Sequence, residues 1–240
     1  MADANLTPPP PGPQKTPSKH HLLNQQVEND MIDGETILLA ALDPNYKPPL
    51  LTTKIVEGDL TDMGNNIAAC RETSGQALQK SISHEAKVID EGLAKGGMLD
   101  TLNILQGAAK DKFPKGSPDR KKYMINEDLA GASYENTLGL TQSVLTQLTL
   151  DPLSDQGVTP DEIAGFSSAR DAWILAHKVA DDEDKAASAL RDDRDTLQKS
   201  VNDMRHTIRS AADRKWPHTD PANAGTRKKF ALPLDREFNG

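Results

Sequence analysis

The groups in this chain that could bind metal, move protons or attack an electrophile are six histidines, one cysteine and an excess of carboxylates. His177 and Asp181 stand four residues apart, so on a helix they share a face and could offer two ligands to one ion. Asp203 and His206 have the i, i+3 spacing that brings a carboxylate and an imidazole together in helical di-iron centres. Those centres need Glu-x-x-His on paired helices and further glutamates, and no Glu-x-x-His occurs in this sequence. His20-His21 sits beside a proline-rich run, where solvated imidazoles are the ordinary explanation. The acids Asp181-Asp182-Glu183-Asp184 would fan outward from a helix, whereas a calcium loop wraps its carboxylates around one point with a glycine turn. Asp192-Asp193, flanked by Arg191 and Arg194, reads as surface ion pairing.

Nucleophile and phosphate chemistry find no better footing. Cys70 falls on the apolar side of a helical pattern, where a thiol is a small buried filler and not a reactive thiolate. Gly92-Leu93-Ala94-Lys95-Gly96-Gly97 has suggestive glycines, but no Gly-Lys-Ser/Thr follows and no hydrophobic strand precedes it, so it is not a phosphate loop. Neither Gly-x-Gly-x-x-Gly nor Gly-x-Ser-x-Gly is present. These residues define no catalytic constellation; an enzyme is not expected, and no cofactor or metal site is assigned.

The elements that would position such groups are helices. Hydrophobic residues make up 36% of the 240 and aromatics only 4%, so the buried volume is filled by Ala, Leu, Ile and Val, which suits closely packed helices and suits a β-sandwich poorly. A net charge of −8 repels nucleic-acid phosphates and anionic lipid, so neither nucleic acid nor membrane is an expected partner. The single cysteine excludes an intrachain disulfide. With neither a basic-then-apolar leader nor a membrane-length apolar run, the default location is cytoplasmic, and export without a cleaved signal stays open.

Three segments follow from these patterns. Residues 1–58 form a proline-rich arm: Thr7–Pro17 favours polyproline II, Ile37–Leu42 marks one short helix over about Gly34–Leu42, and Asp43-Pro44 and Lys47-Pro48-Pro49 make an extended strap. Residues 59–216 form the helical bundle. Apolar or small residues recur from Leu60 through Met63, Ile67, Cys70 and Ala77 to Ile89 and Leu93, ending at the stop signal Gly96-Gly97. A second run, Met98–Lys112, carries Leu99, Leu102, Leu105 and Ala109. A third spans about Asp119–Leu150, with alternating Thr and Leu near Leu145–Leu150 as a possible strand. Residues 217–240 form an extended tail, whose basic triplet Arg227-Lys228-Lys229 is expected to touch the chain's own acidic faces.

The strongest signal is the last helix. Thr159-Pro160-Asp161-Glu162 combines a hydroxyl cap, proline in the first turn and a glutamate that closes a capping box; Pro217 ends the helix. Between them a seam recurs at four- and three-residue steps: Ala169, Trp173, Ala176, Ala180, Glu183, Ala187, Leu190, Arg194, Leu197, Val201, Met204, Ile208 and Ala211. Only Glu183 and Arg194 interrupt it, either where cover is thin or as register-setting pairs. At ~1.5 Å per residue this helix is roughly 70 Å long. The fold expected is all-α: an elongated antiparallel helical bundle with a very long C-terminal helix and extended terminal straps.

A seam of that length exceeds what shorter neighbours can cover, and apolar surface left in water is unfavourable. The leading functional expectation is therefore a structural protein that self-associates along Ala169, Trp173, Ala176, Ala180, Ala187, Leu190, Leu197, Val201, Met204 and Ile208, as a homo-oligomer, filament or lattice. Two alternatives stand beside it: a metal-binding bundle using His177, His206 and neighbouring carboxylates, and an adaptor presenting Thr7–Pro17 to a proline-recognising partner.

Overall fold

A computed structural model describes the backbone of residues 19–240 and the side chains from Gln25 onward. The proline-rich run Thr7–Pro17 and the side chains of His20 and His21 lie outside these described residues. Among them there is no strand. The order is α1 (Lys19–Leu42), α2 (Lys47–Leu51), α3 (Glu57–Lys112), α4 (Pro118–Lys122), α5 (Tyr134–Leu150), α6 (Pro160–Lys215) and α7 (Ala224–Lys229), with single 3₁₀ turns at Ser154–Gln156 and Pro221–Asn223. The protein is thus an all-α helical bundle in which α3 and α6, 56 residues each, pack against each other. Packing divides the chain into two units. One comprises the described chain up to Gln76 together with Leu190–Gly240, and the other is Ala77–Ala189; the division cuts across α3 and α6.

In the first unit α1 packs with the start of α3 and the end of α6. Met31, Leu60, Met63, Val201, Ile208 and Phe230 are almost fully buried there. The expected short helix begins at Lys19 instead of Gly34. Its apolar side was legible as Val27, Met31, Gly34, Leu38 and Ala41, a three-and-four rhythm with Gly34 standing in for a side chain. That glycine has a packing reason: a Cβ on it would lie 2.7 Å from Val201 Cγ1, so α1 meets α6 at a residue with nothing to insert. The expected strap is also corrected. Pro48 and Pro49 occupy the first turn of α2, where a missing N–H costs nothing because that position has no intrahelical acceptor.

The C-terminal tail is likewise not extended. A 3₁₀ turn and α7 carry Phe230 into the core, where it packs with Tyr46 (ring centroids 5.9 Å apart) and Trp216 (5.4 Å). As expected, the basic triplet meets the chain's own acids: Arg227 lies 2.6 Å from Asp213 and Lys229 3.5 Å from Asp43.

In the second unit the C-terminal part of α3 and the N-terminal part of α6 join α4 and α5 around Met98, Leu102, Leu105, Tyr123, Val144, Phe166 and Trp173. Gly96-Gly97 is not a stop, and the two runs read as separate helices are one. Neither glycine takes a positive φ, and burial of Met98, Leu102, Leu105 and Ala109 just beyond them outweighs the ~1 kcal/mol that each glycine costs relative to alanine. Nothing lies within 4 Å of a Cβ built at either position. Gly96→Ala and Gly97→Ala should therefore each stabilise the protein by about 0.5–1 kcal/mol. Urea titration followed by circular dichroism checks this; a loss of stability would mean that the helix is interrupted there after all.

The third expected run is broken where the sequence suggested continuity. Met124 and Asn126 adopt left-handed backbone (φ 55° and 75°), and Gln106 donates to the carbonyls of Tyr123 and Met124 at 3.0 and 2.9 Å, replacing helical acceptor pairing in the connection. Ser133 then caps α5 by accepting from the Asn136 amide at 3.3 Å. The Thr-Leu alternation is helix and not strand: the hydroxyls of Thr146 and Thr149 donate to carbonyls four residues back, those of Gln142 and Leu145, which satisfies the hydroxyls within the helix. At α6 the capping box forms as the sequence indicated, with Thr159 N–H to Glu162 Oε2 at 2.8 Å and Glu162 N–H to Thr159 Oγ1 at 3.3 Å.

Candidate functional site

The second unit brings the sequence-selected His177 together with partners that sequence spacing did not reveal. Antiparallel pairing of α3 and α6 sets Lys80 Nζ 3.1 Å from Glu183 Oε1, His84 Nδ1 2.9 Å from the Ala180 carbonyl, and His177 Nδ1 2.8 Å from Glu91 Oε1. Ala180 and Ala187, both almost fully buried, have the small side chains that permit this approach. Tyr134 at the start of α5 stacks on the His177 ring with centroids 3.6 Å apart and also contacts Trp173 at 4.9 Å.

Chemically, Glu91 accepts from the Nδ1–H of His177 and Tyr134 covers the imidazole face, an arrangement that fixes tautomer and ring plane. It joins α3, α5 and α6 but supplies no third ligand: no grouping of three or more His, Cys, Asp or Glu suited to a metal exists among the described residues. Two cavities in this unit, one lined by Glu127, Asp128 and Glu135 and the other by Leu102, Asn103 and Gln106, include neither His177 nor Glu91. The dyad therefore reads as an interhelical clamp. A carboxylate seven residues after His84 on α3 was the available signal, legible only once the register with α6 is known.

The other sequence-selected groups disperse. Asp181 pairs along its own helix with Lys185 and not with His177. Asp182 and Asp184 are exposed. His206 packs against Phe238 with ring centroids 5.3 Å apart, while Asp203 points to solvent. Cys70 is fully buried, its Sγ 3.7 Å from the Arg194 carbonyl, and burial pushes the thiol above its ordinary range, the condition of an unreactive filler. Glu183 meets Lys80, and Arg194 is only 8% exposed, so neither seam interruption marks thin cover.

The seam itself is filled from within the chain. Trp173, Ala180, Ala187, Val201, Ile208 and Ala211 are buried and Ala169, Ala176, Leu190, Leu197 and Met204 are half-buried, because α3 is as long as α6 and supplies the cover that shorter neighbours could not. Apolar surface does remain on the other side of α3. Leu78, Ile82, Ile89 and Leu93 are 45%, 60%, 63% and 72% exposed. At ~100° per residue they lie roughly opposite Ala77, His84 and Glu91, which face α6. Between Gln76 and Met98 the only buried residue of α3 is Ala77.

These surfaces and the fold define an all-α helical-bundle protein. No family model, no curated protein and no solved structure matches the chain. No helix among the described residues is long and apolar enough to cross a membrane.

Proposed function

We propose that this chain is a structural protein that assembles with a second copy of itself, α3 lying antiparallel on the α3 of its partner. The observation that carries this reading is the stripe Leu78, Ile82, Ile89 and Leu93. Its members are spaced four, seven and four residues apart, so the stripe reads the same in both directions about Glu85-Ala86. A two-fold axis there would set Leu78 against the partner's Leu93 and Ile82 against the partner's Ile89, the self-complementarity that an isologous contact requires. Gly75 and Gly96 fall at matching positions beyond its ends and leave room for the paired helix. Removing large aliphatic side chains from water favours association by about 1.5–3 kcal/mol for each one fully covered. Identical chains carry the same charge, so the contact is expected to strengthen in salt.

Size-exclusion chromatography with light scattering tests this. The wild-type chain of 26.0 kDa should elute with at least twice that mass, and Ile82→Glu combined with Ile89→Glu should return a single-chain mass with unchanged helical circular dichroism. A wild-type protein that stays a single chain at about 100 μM, where a micromolar contact is mostly formed, overturns the proposal.

A further inference from the structure

In the first unit the residues after α7 fold back over the last turns of α6 and border a half-open cavity of about 460 Å³ whose lining includes Arg209, Ala231, Pro233, Arg236, Glu237 and Phe238. We propose that this cavity binds a small oxyanion, through carboxylate or phosphate oxygens, on the Arg209 guanidinium. Arg209 is set up for an anion that the chain does not provide. Its Cζ lies 4.2 Å from the centre of the Phe238 ring, which holds the guanidinium plane. One Nη donates to the Ala231 carbonyl, while the buried Nε has no hydrogen-bond partner among the described residues.

Four other arginines of the same unit meet carboxylates. Arg71 is 3.0 Å from Glu28, Arg205 is 3.3 Å from Asp33, Arg194 is 2.6 Å from Asp195 and Arg227 is 2.6 Å from Asp213. Arg209 has no carboxylate within ion-pair distance among the described residues. Burial and the adjacent Arg205 push its pKa down, with Asp33 a weaker counterweight, as expected of a cation short of negative charge. The acids nearby are committed elsewhere: Asp33 to Arg205, and Asp213 both to Arg227 and to the Phe238 amide at 3.2 Å. Glu237 and Arg236 are both exposed and both line the cavity, so their opposite charges offset. An incoming oxyanion would meet the part of the Arg209 guanidinium that lines the cavity, with Ala231, Pro233 and Phe238 as apolar walls for a compact substituent.

Nuclear magnetic resonance of the full chain tests the site. Inorganic phosphate and benzoate are titrated separately against chloride at matched ionic strength, following the backbone amides of Ala231 and Phe238. At least one of the two should give saturable shifts, phosphate alone pointing to a phosphorylated ligand and benzoate alone to a carboxylic acid. Arg209→Met should weaken that binding by about tenfold or more, consistent with loss of a charge-assisted hydrogen bond. Should that variant not fold, Arg209→Lys, which keeps the charge but loses the planar fork, should weaken binding severalfold. No saturable shift with either probe, or affinity unchanged in the folded variants, overturns the assignment.

Discussion

Arg227→Ala should unfold the C-terminal segment from its unit and lower stability by about 3–5 kcal/mol, the cost of removing one member of a buried ion pair. The side chain is 1% exposed and every direction of its guanidinium is used. It lies 2.6 Å from Asp213, and it donates to the carbonyls of Pro233 through Nε and Nη2 at 2.8 and 2.7 Å, of Trp216 at 2.6 Å and of Arg236 at 3.1 Å. One planar cation thus joins α6, the turn that follows it and the final residues of the chain. Truncation leaves Asp213 as an uncompensated, largely buried charge and strips those carbonyls of their donor. Arg227→Met with Asp213→Asn should recover part of the loss, because the two changes remove both charges together. Denaturant unfolding monitored by circular dichroism gives both numbers. A loss under about 1 kcal/mol for Arg227→Ala would show that the guanidinium holds nothing that water cannot replace.

Trp173→Ala is expected to cost a similar amount in the second unit, about 3–5 kcal/mol, as for other large buried aromatics. Trp173 is 1% exposed and packs with Tyr134 in a core that also holds Phe166 and Tyr123. Its indole Nε1 is buried with no hydrogen-bond partner among the described residues. A buried unsatisfied donor costs about 1–3 kcal/mol, so Trp173→Phe, which deletes that donor while keeping an aromatic ring, should change stability by no more than about 1 kcal/mol. Relief from the lost orphan offsets the smaller volume. The contrast between the two substitutions is the readout: a Trp173→Phe loss close to that of Trp173→Ala would mean that the indole N–H is satisfied and that the donor argument fails.

Much of the architecture was legible in the sequence, and the reasons are local. The capping box at Thr159–Glu162 needs only four consecutive residues, and the seam from Ala169 to Ala211 needs only a period, so both could be read without knowing what packs against them. Burial of Cys70 and solvation of Asp182 and Asp184 follow from the same period. Gly96-Gly97 was misleading because a stop signal is a local preference of about 1 kcal/mol per glycine, and neighbours in space overrule it. The start of α1 was missed although Val27, Met31 and Gly34 kept the rhythm, since a glycine counts as apolar only when a side chain such as that of Val201 fills its place.

What the sequence by itself determined is the all-helical class and the buried stripe of α6, because periodicity along one helix depends on that helix alone. Only the tertiary structure decided that α3 covers this stripe, that Glu91 meets His177 and Lys80 meets Glu183, that Arg227 is tied to Asp213 while Arg209 meets no carboxylate among the described residues, and that Leu78, Ile82, Ile89 and Leu93 are left facing water. Each of these depends on the register of one helix against another or on the path of the returning tail. Register is set by the sum of many contacts far apart in sequence, and no period within a single segment encodes it.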